Sequence, residues 1–286
     1  MSIKLVIDTC SDLTQKDLDD DVTIFPIPVY IDGKEYRPNV DLSVDEFYTL
    51  LAQAKEFPKT SQTPFVLMYD TFKKMVENGN EVVCILMASK MSGTYQSACL
   101  AKQTIADDLS EELASKIHII DSENVTFPLA ALCIEAYKMV KEGKMTAQEI
   151  EDRIRYLIPK VKMRAFIKDL TYLKMGGRIS GATAALAGLL GIKPIIKVEA
   201  GEISTTNKER GIPNAMKRIC TFVNESNIDT SLPCYLGYTQ DTHIRDLLIE
   251  SLKKNTNFNI SKIISIGATV GAHAGPGCTG VCFFEK

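Results

Sequence analysis

The segment Glu81-Val82-Val83-Cys84-Ile85-Leu86-Met87-Ala88 constrains the fold of this chain more than any other. It is apolar at consecutive rather than alternate positions, so a strand built from it must be covered on both faces, as in the parallel sheet of an α/β protein. The flanking segments fit that requirement. Lys4–Ile7 reads as a strand, and Val22–Tyr30 as a second one ended by the turn Asp32-Gly33. Ser43-Val44-Asp45-Glu46 is a capping box opening a helix through Lys55, and Pro64 suits the first turn of a helix running to about Asn78. A helix from Ser92 to about Ala106, a strand Lys116–Asp121 and a helix around Pro128–Lys141 complete a βαβαβ order. Such an order specifies a three-layer domain.

After a second capping box at Thr146-Ala147-Gln148-Glu149, Pro159 stops the helix and the texture changes. Arg164–Lys168 reads as a strand, an Ala-rich helix follows a Gly-Gly turn, and Lys193–Val198 with Glu202–Thr205 forms a hairpin across Ala200-Gly201. A helix near Pro213–Asn224, a strand Cys234–Tyr238, a helix Ile244–Lys253 and strands Lys262–Gly267 and Gly280–Phe284 close the chain. The change of texture divides it into residues 1–160 and 161–286.

Charge and composition narrow the ligand. The 33 Lys and Arg nearly balance 36 Asp and Glu, for a net charge of −3, which argues against a protein that lives on nucleic-acid phosphates. There is no Trp, so few side chains could form a carbohydrate or base-stacking platform. An uncharged molecule, or an anion held by a few local groups, is the better expectation. The N-terminal apolar run ends early at Asp8, and the most apolar stretch, Ala182–Ile196, is broken by Lys193 and Pro194; neither a signal peptide nor a membrane span is expected. Eight scattered cysteines without a Cys-x2-Cys pair read as free thiols in a reducing cytoplasm, and no cluster has metal-ligand spacing.

Several segments could carry chemistry. Thr60-Ser61-Gln62 precedes one helix and Ser92-Gly93-Thr94 opens another, placing hydroxyls and unpaired N–H groups at positive helix ends, where a carboxylate or phosphate is stabilised. Each triplet is equally well an ordinary cap. Arg178 follows adjacent glycines and offers a planar fork to an anion. Gly267 to Gly280 holds five glycines, one proline and His273, and reads as a loop of tight turns. It matches neither the dinucleotide fingerprint nor the phosphate loop. Of the three histidines, His118 and His243 read as structural. In Asp8-Thr9-Cys10-Ser11-Asp12, a helix cap by Ser11 or Asp12 is preferred to a metal or phospho-aspartate site. The Ala182–Gly191 segment, apolar on nearly every face, is either a helix buried between layers or one whose small side chains leave room for an alkyl chain.

These segments together resemble the DegV family, the fatty-acid-binding proteins that serve as the lipid-carrying subunit of bacterial fatty acid kinase in phospholipid metabolism. The resemblance rests on Asp8 to Leu13, Thr60-Ser61-Gln62, Ser92 to Ala98, Leu173 to Ser180, Lys193-Pro194 and Gly271 to Gly277, in that order along almost the whole chain. It implies an N-terminal α/β/α domain with a parallel sheet and a C-terminal two-layer α/β domain with a mixed sheet. A long-chain acid such as palmitate, stearate or oleate would lie between them. Thr60, Ser61, Ser92, Gly93 and Thr94 would hold the carboxylate, and Arg178 and His273 would support phosphoryl transfer by a separate ATP-dependent kinase. Ala182, Ala185, Leu186, Leu189 and Ile192 would line the acyl tunnel. No cofactor, nucleic acid or integral membrane association is implied, and the chain itself would be a non-catalytic, cytoplasmic carrier. It departs from the family pattern at Thr63, Met175 and Gly181; Thr63 would shift the carboxylate loop slightly. The competing expectations are an enzyme using Ser92 or His273 on a small anionic substrate in a polar cleft, and a lipid-sensing regulator.

Overall fold

A computed structural model describes residues 2–179 and 191–286. Its first sheet is parallel, in the order β2-β1-β6-β7, formed by β1 (Ile3–Asp8), β2 (Thr23–Phe25), β6 (Glu81–Leu86) and β7 (Ile117–Asp121). The continuous apolar character of β6 has the expected cause. Val82, Cys84 and Leu86 pack on one face against α2 (Phe65–Glu77) and α3 (Thr94–Asp108). Val83 and Ile85 face the other way, towards α5 (Thr126–Glu142) and α6 (Ala147–Leu157). Both capping boxes form, at Ser43 before α1 (Val44–Gln53) and at Thr146 before α6. A short helix, α4 (Glu111–Ser115), lies between α3 and β7.

The second sheet is mixed, in the order β10-β9-β8-β13-β11-β12. Its strands are β8 (Val161–Ile167), β9 (Ile192–Glu199), β10 (Glu202–Arg210), β11 (Cys234–Tyr238), β12 (Ile260–Ser265) and β13 (Cys278–Phe284). One face, including Phe166, Leu236, Val281 and Phe283, packs on α8 (Ile212–Glu225) and α9 (Thr242–Asn255). The other face, with Met163, Ala165, Ile196 and Cys282, joins the core that surrounds α5. The first turns of α5 are therefore buried all round, from Thr126 to Cys133, between two sheets. Close approach is built in at Gly237 of β11, where a Cβ would stand 2.0 Å from the Phe127 ring.

Two expectations are corrected. Val22–Tyr30 is not one strand: β2 ends at Phe25, and a separate β3 (Val29–Ile31) pairs with β4 (Lys34–Tyr36) and β5 (Lys59–Thr60) in a small sheet. Pro26 and Pro28 remove two ladder donors, and the chain changes sheets there. Nor is the glycine-rich segment after Gly267 all loop, because Ala268–Ala274 is a helix, α10, that ends at Gly275 with φ 68°. Gly271 lets this helix pack closely on α1, since a Cβ there would stand 2.7 Å from the Phe47 ring and 2.8 Å from Tyr48 Oη. Glycine is a helix breaker by propensity, and here contact outweighs propensity.

Candidate functional site

An apolar cavity lies between the sheets, enclosing with its open mouth about 740 Å³ not filled by protein atoms. The inner face of the second sheet supplies Met163, Ala165, Ile167, Ile196, Val198 and Ile203. Opposite them stand Cys10, Met87 and Met91 from loops after β1 and β6, and Val125 and Phe127 from the start of α5. Four polar side chains from distant parts of the sequence line the same cavity: Thr60, Ser92, Arg178 and His273.

Each reaches the cavity for a local reason. Thr60 ends β5, whose pairing with Val29 fixes its position. Its Oγ1 lies 2.8 Å from His273 Nε2 in a hydrogen bond. His273 occupies the last turn of α10, and its Nδ1 is buried without a hydrogen-bond partner among the described residues. Gly176 lies against that edge of the ring, where a Cβ would come within 2.1 Å of Nδ1. Burial, with the Arg178 charge adding to it, lowers the imidazole pKa to about 4, so the ring is neutral at pH 7. Arg178 follows α7 (Thr171–Met175); its Nε donates to the Met91 carbonyl at 3.3 Å and its Nη1 to the Gly176 carbonyl. Ser92 Oγ is 2.9 Å from Thr94 Oγ1 and accepts the Thr94 N–H at 3.2 Å, tying the hydroxyl to the first turn of α3.

The remaining expected residues lie around this group. Gly93 is the N-cap of α3 and packs on the Gln62 side chain, which donates to Ser97 Oγ at 2.9 Å. Thr94 is buried and accepts the Thr63 N–H through Oγ1 at 3.4 Å. Neither residue lines the cavity, and Ser61 is exposed outside it. Thr63 is fully buried and its hydroxyl donates to the Pro26 carbonyl, so it fastens the segment to the β2–β3 connection. Met175 is 59% exposed. Ile192 is half-buried at the start of β9 and does not contribute to the cavity wall. Ala182, Ala185, Leu186, Leu189 and Gly181 lie outside the described residues.

Asp8 and Asp12 are also buried. Asp8, rather than Ser11 or Asp12, caps the short turn after β1, taking the N–H groups of Cys10 and Met87, both at 2.8 Å. Asp12 accepts from Thr126 Oγ1 at 2.5 Å and from the Gly267 N–H at 2.8 Å, joining the starts of α5 and α10. Burial raises the two carboxyls to about 6 and about 7 respectively. Thr126 and Thr269 bring two further hydroxyls to the cavity wall, which sequence reasoning did not find. Thr126 sits at φ 56°, a conformation that no residue pattern announces. Among the described residues, no group of three His, Cys, Asp or Glu is placed to hold a metal ion, and no helix is long and apolar enough to cross a membrane.

The arrangement can bury an apolar chain and place an anionic head against two hydroxyls, a guanidinium and a neutral imidazole. Comparison with known proteins points the same way. A DegV domain-containing protein of Clostridium acetobutylicum is 34% identical over 285 residues, covering 99% of both chains. Among solved structures, a stearic-acid-binding protein from Eubacterium ventriosum superposes with a TM-score of 0.85 at 29% identity, over 99% of this chain and 98% of that one. A fatty-acid-binding DegV family protein from Thermus thermophilus does so with 0.85 at 26% identity, over 100% of both. The family model described as "Uncharacterised protein, DegV family" matches residues 2–286, and the chain belongs to the DegV family.

Proposed function

We propose that this protein is a carrier of long-chain fatty acids. The acyl chain fills the apolar cavity, and Thr60 and Ser92 hold the carboxylate with Arg178 and His273 beside it. The carrier, working in the cytoplasm, then offers the carboxylate to an ATP-dependent kinase that forms the acyl phosphate. In this reading residues 1–160 and 161–286 act as two domains with the acid between them. The observation that carries it is that one apolar cavity brings together four polar side chains contributed by residues as far apart as Thr60 and His273. Binding by apolar burial gains about 0.8 kcal/mol per methylene, on the order of 10 kcal/mol for a palmitoyl chain before ordering costs. A cleft serving a small anionic substrate would instead be polar throughout, whereas this wall is mainly aliphatic.

Native mass spectrometry of the purified protein, before and after organic extraction, tests the reading. A stoichiometric fatty acid, or its uptake when stearate or oleate is added, is the expected result. A clean mass with no uptake overturns it. Acyl phosphate produced only when carrier, kinase and ATP are combined supports presentation to a kinase. Binding without any such product leaves a lipid-sensing regulator, and turnover without a partner an enzyme.

A further inference from the structure

The second sheet splits beside the cavity. β8 and β9 pair only at Ala165 with Ile196 and Phe166 with Ile195. Continuing that antiparallel register would bring Met163 opposite Val198, but the ladder stops first. Neither strand is frayed, because β8 stays paired with β13 from Val161 to Ile167, and β9 with β10 from Ile192 to Glu199. Met163 and Val198, on either side of the split, line both the apolar cavity and a cleft on the outer side of the sheet. The split lies away from the His273 end of the cavity, where Ile167 pairs with Cys278 just beyond α10. Met163 lies four residues before Ile167, about 13 Å along the strand, and the chain beyond Ile167 leads to Leu173 and Arg178.

The outer cleft is polar and electrically balanced, with Lys162, Arg164 and Lys197 set against Glu123, Glu199 and Glu285. Lys197 is paired with Glu199. The Arg164 guanidinium lies over the Phe222 ring, 4.1 Å from its centroid, and Nη1 donates to the Met163 carbonyl at 2.7 Å. Among the described residues it forms no ion pair, and a guanidinium has five N–H donors, so donors remain for a ligand.

We propose that the cavity has a second opening between Met163 and Val198, which admits long-chain acids bearing a hydroxyl at the end remote from the carboxylate and lodges that hydroxyl beside Arg164. The proposal rests on the fatty-acid reading above. A hydroxyl both accepts from the guanidinium and donates to a carbonyl or carboxylate, which suits a cleft of balanced charge. A cavity closed at this end would bury the hydroxyl unpaired and bind such an acid at least about tenfold more weakly than its parent.

Competition binding of ω-hydroxypalmitate and ω-hydroxystearate against palmitate and stearate tests it. The expected result is that at least one hydroxy acid binds within about threefold of its parent. Arg164→Gln then weakens that acid by about fivefold or more and leaves the parent unchanged, while Arg164→Lys restores part of the loss. Unchanged binding of the parent acid reports an intact fold in each variant. The proposal is overturned if both hydroxy acids bind at least about tenfold more weakly than their parents to the unaltered protein, or if Arg164→Gln shifts parent and hydroxy acid equally. Failure to bind stearate at all would instead overturn the fatty-acid reading.

Discussion

Replacing Asp12 by Asn isolates a pH-linked contribution of the buried centre. The carboxylate is fully enclosed, with Oδ1 on the Gly267 N–H and Oδ2 on Thr126 Oγ1, and burial raises its pKa from 3.8 to about 7 against the effect of both bonds. The folded state therefore holds this proton more tightly than the unfolded chain. Its stabilising effect is complete below the ordinary carboxylate range and is lost as pH rises through about 7. At about 1.4 kcal/mol per pKa unit, this one group makes the protein roughly 3 kcal/mol less stable at about pH 9 than at about pH 5. Asn keeps an oxygen for Gly267 and can donate to the Thr126 hydroxyl, but it has no proton to lose. Urea unfolding of ligand-stripped protein and of Asp12→Asn across this range should give curves that diverge by roughly that amount, with the variant gaining towards alkaline pH. Groups that do not feel the Asp12 charge cancel in the difference, while Asp8, whose charge acts on Asp12, responds with it. Parallel curves would mean that Asp12 ionises normally in the folded protein and that burial does not govern its proton.

His273 carries the opposite linkage. Its folded pKa of about 4 lies below the ordinary 6.5, so stability falls as pH drops from about 6.5 towards about 4, and His273→Gln should abolish that loss in the same assay. Thr60→Val keeps the shape of the side chain but takes the partner from Nε2 of a ring whose Nδ1 already lacks one. A stability cost of about 1–3 kcal/mol is expected, with stearate retention about tenfold weaker; unchanged retention in both this variant and Ser92→Ala would place the carboxylate elsewhere. Gly271→Ala forces a Cβ against Phe47 and Tyr48 and should cost about 1–3 kcal/mol, read as a fall in Tm. A neutral result there would show that α1 and α10 can separate freely.

Elements that bury themselves locally were legible in the sequence. The unbroken apolar run of β6 required cover on two faces, and α2/α3 and α5/α6 supply it. Both capping boxes are satisfied within a single turn and could be read directly. The failures came where a distant contact decides the outcome. Nothing near Ala268–Ala274 favours a helix over a glycine-rich loop except the aromatic surface of α1, which lies more than two hundred residues away in the chain. Thr60 was singled out as part of a helix entry, yet its position is set by a two-residue strand too short for any periodicity. Most of the cavity wall escaped for a related reason. Met163, Ala165, Ile196 and Val198 are ordinary inward-facing strand residues, and only the packing of two sheets around α5 makes them a cavity rather than a core.

The electrostatics of the site follow from that packing rather than from any single motif. A cavity walled by aliphatic side chains strengthens every charge that borders it, so the charges that remain decide what it accepts. Arg178 brings a guanidinium to the wall, and burial, with that charge adding to it, keeps His273 from becoming a second cation. The two buried carboxyls, whose charges act on Cys10 of the wall, oppose an anion when ionised. Burial raises both, Asp8 to about 6 and Asp12 to about 7, so near pH 7 Asp12 is about half protonated while Asp8 stays largely ionised, and their oxygens are engaged by backbone N–H groups and the Thr126 hydroxyl. What suits a negative charge with an apolar tail at this wall is the Arg178 guanidinium beside the hydroxyls of Thr60 and Ser92, with the aspartate oxygens held by their own donors. The Asp-x-x-x-Asp spacing at the end of β1, which could suggest a metal site, is better understood as two structural carboxyls, Asp8 tying the turn after β1 to Met87 and Asp12 joining the starts of α5 and α10.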